Sequence, residues 1–245
     1  MTEERWLKCS NIWELTEYLH KHGSERRLRL FSHACCQRLR PLGFEELFER
    51  GLAAVEARAE GACSVEELSD LHTQLRERLD EIEAALRDAD GMLHTNWHSC
   101  LAAAVMFAVQ PMYARRELNA GVTSTMGSLA FNAQGAVANP VWERTRSRTE
   151  TDLVNDAESL QQVALVRDIF GNPFQPVTFE PSWRTTAVDG LATGIYEEKA
   201  FDRLPVLADA LEDAGCSDGD ILDHCRSQGE HVRGCWVVDL ILGKS

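Results

Sequence analysis

The chain is short of positive charge, of long apolar runs and of catalytic signatures, and each shortage excludes something. Its 25 basic residues stand against 39 acidic ones, a formal net charge of −14, which repels phosphate backbones and makes nucleic acid an unexpected partner. The longest apolar run, 101–109, is far below the roughly 20 residues a membrane-spanning helix needs. Met1-Thr2-Glu3-Glu4-Arg5-Trp6 lacks the basic-then-apolar order of an export signal. A cytoplasmic protein without a membrane anchor is therefore expected. G-x-S-x-G, H-E-x-x-H and G-x-G-x-x-G do not occur, so the common hydrolase, metalloprotease and dinucleotide-binding signatures are missing. Strand character is confined to 176–179.

What is present reads as helix. At 245 residues with 44% hydrophobic and 26% charged residues, the chain has enough interior for one large domain or two packed subdomains and is not composed like a disordered segment. Asn11 and Ser24 are placed to cap helices over 12–22 and 25–40, and a third reads over 44–60. Ser64-Val65-Glu66-Glu67 is a capping box, followed by Leu68, Leu71, Leu75, Leu79, Ile82 and Leu86 in steps of three and four. That stripe suits a helical hairpin within the chain or a short seam between two chains. An Ala-rich helix follows over 95–110. Between 119 and 149, glycines, Ser, Thr and Asn residues and the pair Asn139-Pro140 read as a loop or hinge. Helices resume over 151–170, 186–198, 202–214, 218–226 and 230–242. The expectation is an all-α protein, with antiparallel helical hairpins in an N-terminal region (1–118), a variable loop or hinge (119–150), and a C-terminal array of short helices (151–245) packed against the first.

Three segments carry a resemblance: Arg27-Leu28-Arg29-Leu30-Phe31 with Cys35-Cys36 behind it, Leu165-Val166-Arg167-Asp168-Ile169-Phe170-Gly171-Asn172-Pro173-Phe174, and Phe201-Asp202-Arg203-Leu204-Pro205 running on to His231-Val232-Arg233-Gly234-Cys235-Trp236. Together they resemble a large paralogous family of uncharacterised bacterial helical proteins. The resemblance implies a shared design and supplies no catalytic residue.

Eight cysteines in a chain of this kind are reduced thiols or metal ligands rather than a disulfide framework. The richest group is His224, Cys225, His231 and Cys235, with Cys216 nearby. On a helix over 230–242, His231 and Cys235 would share a face, and a turn at Gly229 would bring them to His224 and Cys225, four ligands suited to zinc. No C-x-x-C pair supports this, and the competing reading makes the three cysteines ordinary core residues. His94 and His98, also four apart, would need a third ligand. The adjacent Cys35 and Cys36 diverge by about 100° on a helix and cannot both face one partner. Arg27, Arg29, Arg167 and Arg203, if they lined one cleft, would take an anionic ligand or an acidic partner segment. Two functions remain: a non-catalytic intracellular helical module that binds or regulates a protein partner, or a zinc-binding protein or metal-dependent enzyme using the C-terminal His/Cys group.

Overall fold

The computed structural model describes residues 1–87, 96–110 and 125–244. The fold is all-α: it is 76% helical, with twelve α-helices and no strand among the described residues. No helix among them is long and apolar enough to cross a membrane. Two compact units are formed, one by Lys8–Val163 and the other by Met1–Leu7 with Ala164–Ser245.

In the Lys8–Val163 unit, α2 (Ile12–His22), α3 (Glu25–Gln37) and α5 (Val65–Ala85) start where a side chain satisfies an orphan amide of the first turn, while α4 (Glu46–Ala59) starts at Glu45 without such a cap. The Asn11 side chain accepts the Trp13 N–H at 2.9 Å, and Ser24 Oγ accepts that of Arg27. At the head of α5 the capping box closes in both directions, Glu67 N–H to Ser64 Oγ at 3.1 Å and Ser64 N–H to Glu67 Oε2 at 2.7 Å. Leu68, Leu75, Leu79 and Ile82 of the leucine stripe are buried, and α5 packs on α4 and on α6 (Trp97–Ala108) of the same chain. Cys35 and Cys36 are both fully buried.

The loop or hinge expected over 119–150 is corrected from residue 125 onward; 119–124 lie outside the described residues. Helix α7 (Thr125–Thr145) fills most of the segment with Pro140 inside it, and α8 (Arg148–Phe170) begins three residues later. Gly, Ser, Thr and Asn lower intrinsic helix propensity, but tertiary packing overrides so weak a preference. Met126, Leu129, Ala130, Ala133, Ala136 and Ala138 are buried on α7, and it packs on the Ala-rich α6. Small residues on both helices bring the backbones close, and a Cβ on Gly135 would stand only 2.8 Å from Cys100 Sγ. The division between the units falls at Ala164, inside α8, not in 119–150.

The other unit contains α1 (Glu3–Lys8, up to Leu7), the end of α8, and α9 (Thr186–Glu198), α10 (Leu204–Asp213), α11 (Gly219–Arg226) and α12 (Trp236–Leu242). Val188, Ile195, Leu207, Leu211, Ile221, Val237 and Ile241 share its core. The helix expected over 230–242 begins only at Trp236. Residues 227–235 form a non-helical connection in which the Cys235 N–H turns back to the Val232 carbonyl at 2.9 Å, with Gly234 at φ +98°. A positive φ of that size is open to glycine and strained for other residues.

Candidate metal centre

Asp168 lies in the last turn of α8, where two effects oppose a carboxylate. The negative end of the helix dipole is there, and the residue is only 4% exposed. An ionised group in such a place needs specific partners, and the connection between α11 and α12 supplies them. Oδ2 of Asp168 accepts the Val232 N–H at 2.9 Å. Oδ1 lies 2.6 Å from Nδ1 of His231 and 3.2 Å from Nε2 of His224. The same Nε2 of His224 is 3.2 Å from the sulfur of Cys235. One ligand atom each from Asp168, His224, His231 and Cys235 falls within 4.8 Å of the other three. Ligands bound about 2.0–2.3 Å from a tetrahedral zinc stand about 3–4 Å from one another, so this group is close to a coordination shell.

Local folding explains each position. His224 is in the last turn of α11, where a cationic or metal-bound imidazole suits the helix dipole. Its ring is close to those of His231, with centroids 4.9 Å apart, and Trp236, at 5.1 Å. His231 is carried by the non-helical connection, and its outer nitrogen Nε2 lies 3.1 Å from Ser227 Oγ and 3.4 Å from the Ser227 carbonyl. If Nδ1 takes a metal, the ring proton resides on Nε2 and donates to Ser227. Such outer partners fix the tautomer of metal-binding histidines. Cys235 immediately precedes α12 and is fully buried.

The electrostatics follow from these contacts. Burial pushes the Asp168 carboxyl upward, but hydrogen bonds and charge from His224 and His231 outweigh it and leave the group below its ordinary range. Burial pulls His231 down, and Asp168 more than reverses that, raising it above the ordinary imidazole value. The Cys235 thiol is raised well above 9.0, first by burial and then by the Asp168 charge.

Of the four ligands expected from sequence, the structure gathers His224, His231 and Cys235, and Asp168 stands where Cys225 was expected. Adjacent residues on a helix point about 100° apart. With His224 turned toward Asp168, Cys225 points into the core beside Ile221 and Leu222, fully buried, its thiol pushed up to about 12 by burial. Cys216 is buried in the same core. The signal for Asp168 was an acid between Val166 and Ile169, both buried, on the apolar face of a helix end where the dipole disfavours it.

Of the four arginines expected in one anion-binding cleft, three have partners for their side chains within their own units. Arg29 is fully buried, with Nη2 2.8 Å from Glu25 and Nη1 donating to the Gln110 carbonyl at 3.1 Å. Arg167 donates to the Leu7 carbonyl at 3.0 Å, and Arg203 pairs with Glu198 at 2.9 Å. Arg27 is half-buried on α3. His98 contacts Glu45 at 3.1 Å, and His94 lies outside the described residues. No protein-family model, curated protein or solved structure matches the chain.

Proposed function

We propose that this chain is a non-catalytic cytoplasmic helical protein in which Asp168, His224, His231 and Cys235 hold a zinc ion that braces the C-terminal helices. The observation that carries the reading is the meeting of Asp168 Oδ1 and Cys235 Sγ at one nitrogen, Nε2 of His224, each at 3.2 Å. A catalytic relay needs the carboxylate and the thiol on opposite nitrogens of the ring, so that one orients the imidazole while the other gives up its proton. Shared at a single nitrogen, the three groups surround a point instead. A buried thiol raised well above its ordinary value is also a poor nucleophile.

Four protein ligands leave no open position for substrate, which favours a structural role over a metal-dependent enzyme. Binding replaces the Cys235 thiol proton and moves the facing ring protons to the outer nitrogens, so metal uptake releases protons and is favoured by rising pH. The partner of such a module is proposed to be another protein, and the likeness of Arg27–Phe31, Leu165–Phe174 and His231–Trp236 to a paralogous bacterial family is proposed to reflect this shared design.

Metal analysis of tag-free protein, before and after dialysis against zinc, tests the reading. One zinc per chain is expected, falling to near zero in Cys235→Ala and His231→Ala. Zinc well below one equivalent in the reconstituted wild-type chain sinks it.

A further inference from the structure

The last turn of α8 faces two ways. Asp168 turns to the ligand group, while the residues around it hold α1. Arg167 Nη2 donates to the Leu7 carbonyl at 3.0 Å, the Gly171 carbonyl accepts the Trp6 indole N–H at 3.0 Å, and Asn172 Nδ2 donates to Glu3 Oε1 at 2.8 Å. These three bonds grip α1 at its start, middle and end. The helix spans six residues, and Trp6 is its buried one. Isolated helices shorter than about 12 residues are marginal in water, so α1 depends on this dock.

A second connection joins the ligands to the same dock. Trp236 follows Cys235 directly, and its ring lies 5.1 Å from that of His224. It also lies against Gly171, where a Cβ would come within 3.1 Å of the ring. Gly171 also needs its φ of +60°, so no other residue keeps both the ring contact and the backbone turn without strain. The path from Cys235 and His224 through Trp236 to Gly171 ends on the carbonyl that receives Trp6.

We infer that the zinc centre is a latch for the N-terminal helix: metal at Asp168, His224, His231 and Cys235 fixes Trp236 and the 167–172 turn in the arrangement that docks α1, and loss of the metal releases α1. This rests on the reading of the site as a metal centre. None of the four ligand residues belongs to α1; the metal would act by removing alternative positions of the turn and the indole, so the coupling is one of local order.

Hydrogen exchange on the full chain, zinc-loaded and chelator-treated, tests the inference. Amides of 3–8 are expected to exchange at least about tenfold faster without zinc, to recover when zinc returns, and to do so without a comparable change across α10. Arg167→Ala, which removes a grip on α1 and no ligand, is expected to bind one zinc and to exchange fast over 3–8 in both states. One bound zinc with unchanged exchange over 3–8 overturns the latch and leaves the metal centre standing. Equal acceleration throughout 164–244 also overturns it, since the metal would then brace the whole unit. Failure to bind zinc overturns both.

Discussion

Asp168 and His231 are 63 positions apart in the chain and 2.6 Å apart in the fold, carboxylate oxygen Oδ1 against ring nitrogen Nδ1. Together with the bond from the Val232 N–H, this contact ties a non-helical connection to the end of α8. It therefore has a structural effect even without a metal. Removing one partner of a buried charged pair leaves the other uncompensated, which typically costs about 3–5 kcal/mol. Asp168→Asn keeps the shape and removes the charge. Urea unfolding of the metal-free protein is expected to show a loss of about 3 kcal/mol, near the lower end because Asn keeps an oxygen to accept the Val232 N–H. A loss below about 1 kcal/mol would mean that the pair does not hold the connection in place.

A second prediction concerns the contact between α6 and α7 and has a sign that can be reversed. Gly135→Ala gains about 1 kcal/mol of helix propensity. It also places a methyl group 2.8 Å from Cys100 Sγ, and overpacking of that kind typically costs about 1–3 kcal/mol. The clash should win, leaving the variant about 1 kcal/mol less stable. In a Cys100→Ala background the sulfur is gone and the nearest remaining side-chain atoms are the Cβ of residue 100 at 3.5 Å and Asn139 Nδ2 at 3.8 Å, so the same change should be neutral or stabilising. A double-mutant cycle by thermal unfolding measures the reversal. If Gly135→Ala stabilises both backgrounds, the helices do not pack this closely.

What could be read in advance was what neighbours in sequence decide. Asn11, Ser24, Ser64 and Asp218 cap helices because the amides they accept lie two or three residues ahead, and the span expected for α9 matches its observed bounds. What depends on distant packing was hidden. Trp6 anchors α1 through a carbonyl 165 residues away, and α7 is stabilised by the neighbour its small residues fit. The candidate site was half legible. The four-residue spacing of His231 and Cys235 suggested a common helix, whereas a turn through Gly234 brings them near one another. Asp168 escaped notice because it comes from another helix, although a lone acid among apolar residues at a helix end was a usable sign.

The buried thiols give the chain a stability profile that falls on the alkaline side. Cys36, in the Lys8–Val163 unit, and Cys225, in the other, are both fully buried, and burial moves each thiol from 9.0 to about 12. The folded protein therefore keeps both protonated in a range where the unfolded chain ionises them. Below about 9 neither state is ionised and the thiols have no effect on pH dependence. As pH rises from about 9 toward 12 the unfolded state gains by losing protons, and stability falls by roughly 1 kcal/mol per pH unit for each thiol. Unfolding at pH 8, 9.5 and 10.5 should show this decline. Cys36→Ala and Cys225→Ala, each compared with its own value at pH 8, should flatten it by one thiol's share. An unchanged slope in both variants would place the alkaline loss on other groups and remove the argument from thiol burial.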